Sequence, residues 1–325
     1  MSNRASVFVE APARLHFGVL DLRGQLGRSF GGLGAAIPSP SLLVEGVLAD
    51  RISAEGPDAD RAMEFAHRFL AHTGLPGGIH LHIHRAIPSH SGLGSGTQLG
   101  LAVARLLAEL HGLELDPVEL ARGTGRGRRS AIGTWAFALG GFIVEGGRKP
   151  GSEKIAPLLA RFPIPEQWRC VVAVPAGGRG LSGDAEVRAF EQLPPPPQDE
   201  VEQVAHIVLM QLLPALVEED LPSFGGALSA VQRITGAWFA AQQGGVFAPG
   251  KTEQLIANMA AAGAVGVGQS SWGPAAYGLV ESDAAAADLA RNLGSSAGSN
   301  GQVFEGGFAA RGARVWSGHE AGRTD

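Results

Sequence analysis

Of the 325 residues in this chain one is cysteine, one is tyrosine and four are methionine. The lone Cys170 excludes an intramolecular disulfide framework and a multi-cysteine metal site, and it fits a reducing compartment. A basic excess is missing as well. The 26 Lys and Arg against 31 Asp and Glu leave a net charge of -5, which argues against phosphate-backbone binding and so against a nucleic acid partner. Long apolar runs are absent: Trp135 to Val144 is the longest, and it falls well short of the roughly 18 residues a bilayer span needs. The opening MSNRASVFVEAPARLHF lacks the apolar core of a secretion signal. No membrane partner and a cytoplasmic location are the expectation. At 45% hydrophobic and 18% charged residues the chain folds into globular structure, and its length suits two domains of about 150 residues each.

Glycine is what the chain has in excess, 48 residues against a usual share of about 7%, and it comes in clusters without a period. That pattern marks functional loops and not a repeat fold. Residues 6–21 alternate Leu15, Phe17 and Val19 with Arg14, His16 and Gly18 and predict a strand. GIHLHIHRAI, from Gly78, puts Ile79, Leu81 and Ile83 on one face and His80, His82 and His84 on the other; with no further ligand in view, a solvated face is a better reading than zinc. After the loop SHSGLGSG a helix is expected from Thr97 to Gly112, and a short one over 117–122. The prolines of RFPIPEQW suggest a boundary, giving domains 1–165 and 166–325. Beyond it come a strand at WRCVVAVPA, a helix over about 200–219 interrupted near Pro214, and a further helix through Trp238. A helix with Thr252 as candidate N-cap, two strands, a helix opened by Asp283 and a last strand or two complete a split βαβ, ferredoxin-like pattern.

Three segments carry chemistry. In PSHSGLGSGTQ a strand turns through Gly92, Gly94 and Gly96 into a helix, which aims backbone N-H groups and the positive end of the helix dipole at one point; Ser91, Ser95 and Thr97 add hydroxyls. Phosphate binding is the functional reading, an unliganded tight turn the plain one. The segment RGTGRGRRSAIG places Arg126, Arg128 and Arg129 between glycines, forks suited to phosphate or carboxylate unless the loop is merely solvated. In GVGQSSWGPAAYG, small residues around Gln269, Ser270, Ser271 and Trp272 leave an approachable backbone, or a β-turn with a core tryptophan.

Together, the segments Arg14 to Asp21, Gly92 to Gln98, Gly125 to Gly133 and Gly268 to Pro274 resemble the GHMP superfamily. Within it they look like the β-ribofuranosylaminobenzene 5'-phosphate synthase family. The resemblance implies an α+β GHMP fold, an S5-like amino-terminal α/β domain followed by a ferredoxin-like carboxy-terminal one. It implies that 5-phosphoribosyl 1-pyrophosphate reacts with a para-substituted benzoate, 4-aminobenzoate or 4-hydroxybenzoate, releasing pyrophosphate and CO2 in methanopterin biosynthesis. Mg²⁺ is the implied cofactor, with Asp21 and Glu145 as metal-side acids, and a homodimer is an open possibility. Arg14 and Arg129 would hold pyrophosphate or carboxylate, and His16 or His90 would carry protons. The alternative is an ATP-dependent small-molecule kinase. Against it, the kinases' aspartate-bearing segment reads Arg129, Ser130, Ala131, Ile132, Gly133 here, without the general base a substrate hydroxyl needs.

Overall fold

The alternation of the first segment produces β1 (Val7–Asp21), whose Val9, Ala11, Ala13, Leu15 and Phe17 are buried. The structure, a computed structural model, describes residues 6–181 and 183–318. β1 pairs antiparallel with β2 (Phe30–Ala49), a strand of 20 residues for which the sequence gives no clear signal. Its Pro38 and Pro40 read as breakers. The register, however, jumps from Ile37 opposite Ala13 to Ser41 opposite Pro12, so both prolines sit in a bulge where no ladder donor is required. β3 (Ser53–Glu55), α1 (Ala59–Thr73) and β4 (Gly78–Arg85) follow, with β4 between β2 and β3. Ile79, Leu81 and Ile83 face the core, while His82 and His84 meet Glu55 and Glu45 on the outer face.

α2 (Ser95–Leu110) starts earlier than its apolar period suggests, because Gly94 in the left-handed region at φ 81 turns the loop directly into the helix. α3 (Pro117–Gly123) opens on proline with a capping box between Asp116 and Glu119. α4 (Ile132–Leu139) and β5 (Phe142–Glu145) divide the apolar stretch 134–147 at Gly140 and Gly141. β6 (Leu158–Phe162) then pairs with β5, which itself pairs with the start of β2.

The second half begins with β7 (Arg169–Val174) and α5 (Gly183–Gln192). α6 (Gln198–Ile207), a π-helical turn over Val208–Leu212 and α7 (Leu213–Val217) run on as one rod. The π turn falls just ahead of Pro214, which lacks an N-H and crowds the carbonyl four residues back. By length and composition 198–217 could cross a membrane; Val201, Val204, Val208 and Leu212 are nonetheless buried, where the rod packs on α8 (Leu221–Gln243). α9 (Lys251–Ala261) is capped at Gly250 and not by Thr252, whose hydroxyl is buried and donates to the Pro274 carbonyl at 2.9 Å. β8 (Val265–Gln269), β9 (Ala276–Val280), α10 (Asp283–Gly294) and β10 (Gln302–Gly306) complete the unit. The antiparallel order β10-β7-β9-β8 is that of a split βαβ, ferredoxin-like sheet. β11 (Arg314–Ser317) returns to the first sheet beside β1, making it seven-stranded.

α8 crosses β1 at Gly18, where a Cβ would lie 3.2 Å from both Thr235 and Val231, and the β1 register slips between His16 and Gly18. This bulge sets His16 and Gly18 in the wall of a cavity between the two sheets' layers.

Candidate active site

Three glycine-bearing loops meet at the bulge. The His16 amide donates to Ser270 Oγ at 3.0 Å, Ser270 Oγ donates to the Gly92 carbonyl at 2.7 Å, and the Ala275 amide donates to the Ser91 carbonyl at 3.0 Å. The GQSSWGP loop therefore stitches β1 to the GLGSG loop. Gly92 has φ 83, and a Cβ there would stand 2.2 Å from the Ser270 carbonyl oxygen, so no other residue fits the joint.

The cavity so enclosed measures about 650 Å³. One wall is cationic: Arg14, Arg68, Arg126, Arg128 and Arg129 line it, against the carboxylates of Asp184 and Glu186. That excess of guanidinium suits a ligand with more than one negative group. Arg14 donates to the Gly92 carbonyl while its Nε is buried without a partner. Burial pushes Arg14 down to about 10, with Glu186 and Glu145 pulling the other way, so it stays charged at neutral pH. Arg129 pairs with Glu186 at 2.5 Å and lies over the Phe190 ring. Burial raises the Glu186 carboxyl above its ordinary value, and Arg129, Arg14 and a hydrogen bond from Trp272 oppose it.

An aromatic cluster adjoins these arginines, Arg129 already lying over one of its rings. Phe190 meets Phe30, Phe239 and Trp272 edge-on with centroids 5.6, 5.8 and 5.4 Å away, and Phe239 lies 4.9 Å from Trp272. All four line the cavity. Such a cluster accepts a flat ring by edge-to-face contact.

His16, also in the lining, is 8% exposed, with Nε2 3.2 Å from Ser130 Oγ. Burial, reinforced by Arg14, pushes its imidazole down to about 3, which makes it a neutral hydrogen-bonding group and a poor store for a proton. Below it Glu145 is fully enclosed. Its Oε2 accepts the Ala131 amide at 2.6 Å, and its Oε1 has no partner. Burial raises it to about 7.

Of the residues expected from the sequence, Arg14, His16, Thr97, Arg126, Arg128, Arg129, Gln269, Ser271 and Trp272 line the cavity. Gly92, Gly94, Ser95, Gly96 and Ser270 do not; the first half of the GLGSG loop and Ser270 join the two halves of the molecule, and only the start of α2 reaches the cavity. His90 lies outside it, its carbonyl accepting the Gly180 amide at 2.8 Å. Asp21 and Glu145, expected on the metal side, are not among the residues that line the cavity. Asp21 Oδ1 accepts the Arg23 and Gly24 amides in a turn, and Glu145 is sealed away from the cavity. The carboxylates among the cavity's lining residues are Asp184 and Glu186. Among the described residues no group of three or more His, Cys, Asp or Glu could hold a metal. Arg68, Glu186, Phe190 and Phe239 escape the sequence reading. The available signal was weak: Arg61 and Arg68 flank the apolar side of an amphipathic helix, and GDAEVRAFEQ follows a glycine-rich stretch.

An S5-like half, a ferredoxin-like half and a helix opened by a glycine loop onto a cavity between them define a protein of the GHMP class. Residues 60–141 match the family described as GHMP kinases N terminal domain, and residues 212–300 match GHMP kinases C terminal. A homoserine kinase structure from Cytophaga hutchinsonii superposes with a TM-score of 0.71 over 97% of this chain and 99% of that one, at 19% identity, a likeness of fold. Sequence relatives are more specific. The chain is 38% identical over 85% of its length, and 89% of the relative's, to the Beta-ribofuranosylphenol 5'-phosphate synthase of Methanothermobacter thermautotrophicus. It is 36% identical over 70% of its length, and 77% of the relative's, to the protein of that name in Methanocaldococcus jannaschii. The chain belongs to the β-ribofuranosylphenol 5'-phosphate synthase family.

Proposed function

We propose that this chain is a decarboxylating phosphoribosyl transferase, joining 5-phosphoribosyl 1-pyrophosphate to a para-substituted benzoate on the route to methanopterin. The observation that carries the reading is one cavity lined by both five guanidinium groups and four aromatic rings. A donor with several phosphate groups and a flat acid acceptor together need both. The ring carbon bearing the carboxylate attacks ribose C1 as the C1–O bond breaks and pyrophosphate leaves with its electron pair. The C–CO2 bond then breaks, its electrons return to the ring, and CO2 departs.

In this reading Arg128 and Arg129 hold the diphosphate and stabilise the charge it gains on leaving. Phe190, Phe239 and Trp272 set the ring plane beside the sugar. Neutral His16 and Ser130 supply hydrogen bonds without placing a positive charge beside the forming cation at C1. Mg²⁺ on the diphosphate would be held by Asp184 and Glu186 and would neutralise leaving-group charge. The kinase alternative is the weaker: the cavity's carboxylates lie on α5, across from the segment Arg129 to Gly133, and Glu186 is engaged by Arg129.

The test is a product assay with 5-phosphoribosyl 1-pyrophosphate and 4-hydroxybenzoate or 4-aminobenzoate in turn. CO2 release that requires both substrates and no ATP is expected. Release without the sugar donor, or ATP turnover with a small alcohol, would refute the reading.

A further inference from the structure

We propose that Arg61 and Arg68 of α1, with Arg126, clamp the phosphate monoester at the 5-position of the sugar donor, and so decide whether a donor lacking that phosphate is accepted. This rests on the synthase reading and adds which end of the donor lies where.

Arg61, Phe65 and Arg68 stand at i, i+4 and i+7, on one face of α1. The Arg126 guanidinium lies over the Phe65 ring, 4.6 Å from its centroid, so it is flanked by the two α1 arginines. At Gly96, in the first turn of α2, a Cβ would lie 2.6 Å from Arg61 Nη2 and 3.3 Å from Arg126 Nη2. Arg68 Nη1 lies 3.9 Å from the corresponding point at Gly125, in the loop that carries Arg126. Arg61 and Arg126 therefore meet beside the opening turn of α2, whose Gly94 cap gives the first amides no side-chain acceptor, with Arg68 at the loop that carries Arg126; Arg68 and Arg126 line the cavity and Arg61 adjoins them outside its lining.

The counterions are too few. Asp58 pairs with Arg61 at 3.1 Å, and Glu186, which acts on Arg126, is engaged by Arg129. Arg126 Nε is buried with no partner, and Arg61, Arg68 and Arg129 all repel the Arg126 charge. Arg14 brings a second buried, unpartnered Nε to the same helix end, 3.3 Å from where a Cβ of Gly94 would be. Guanidinium groups crowded in this way, with unsatisfied buried N-H donors, are completed by a compact dianion. The terminal oxygens of a monoester meet forks converging from several sides. Arg129, paired with Glu186, and Arg128 remain for the diphosphate.

The experiment is calorimetric titration of ribose 5-phosphate and, separately, of inorganic pyrophosphate into wild type and the Arg61→Gln/Arg68→Gln variant. Ribose 5-phosphate affinity should fall by about tenfold to a hundredfold, and pyrophosphate affinity by less than about threefold. In turnover, KM for the donor should rise by more than kcat falls, and Arg68→Lys should recover part of the loss. Equal losses for the two probes, or unchanged ribose 5-phosphate binding, would overturn the clamp. The single Arg68→Gln change at an exposed position keeps the test available if the double variant does not fold. Wild type that binds ribose 5-phosphate through these arginines but forms no product refutes the synthase reading and leaves the clamp standing. Product formation with unchanged donor KM in the variant does the reverse.

Discussion

Replacing Glu145 by glutamine should change how stability responds to pH, in a direction and by an amount the surroundings of this side chain set. The carboxyl is 0% exposed, and burial raises it from about 4.5 to about 7 against the pull of Ser130, the Ala131 amide and Arg14. In the unfolded chain it titrates at the lower value. Between the two values the folded state holds a proton that the unfolded state has released, so wild-type stability falls as pH rises through that window. At about 1.4 kcal/mol per unit, the loss over the window is about 3 kcal/mol. Glutamine keeps the shape and still accepts the Ala131 amide, but it does not titrate. Glu145→Gln should therefore match wild type near pH 4.5 and exceed it by up to about 3 kcal/mol above pH 7. His16 has the opposite dependence: its depressed value makes its contribution complete above pH 6.5 and lost as pH falls toward 3. Being present in both proteins, it cancels in the difference. Urea unfolding at a series of pH values from about 4.5 to about 8.5 measures that difference. A gap that stays flat, or that narrows as pH rises, would refute the buried-carboxyl argument.

Other outcomes follow from the same geometry. Gly34→Ala would place a Cβ 2.5 Å from the Leu15 carbonyl and 2.3 Å from Ile132, so it should cost more than about 2 kcal/mol in denaturant unfolding, or prevent folding; wild-type stability would count against the packing described. Phe239→Leu removes one ring of the aromatic cluster and should raise KM for the benzoate by about twofold to tenfold while the melting temperature moves little, as initial rates at varied acceptor would report. Arg129→Lys cannot reproduce the fork held against Glu186, and kcat/KM should fall by about tenfold or more; a change within about twofold would move diphosphate capture elsewhere.

Local spacing was enough for several parts of this molecule. The alternation in β1 and β4, the glycine turn into α2, the proline and capping box of α3, and the order of elements in the ferredoxin-like half follow from which residues can share a face, cap an end or turn a chain, all short-range constraints. Arg126, Arg128, Arg129 and Trp272 were legible as lining residues of the cavity for the same reason, since each lies within a glycine-bearing loop, and Arg14 through the alternation of β1. Other features depended on partners far away in the chain. β2 is a strand because its prolines fall in a bulge that only pairing with β1 creates. Ser270 and Gly92 act as a joint because two loops 178 residues apart meet there. The burial that neutralises His16 and raises Glu145 comes from the packing around β1 and β5, and Arg68 and the aromatic cluster enter the cavity only because helices from distant segments converge on it. Desolvation and like-charge crowding are properties of that three-dimensional enclosure, which one-dimensional spacing does not encode.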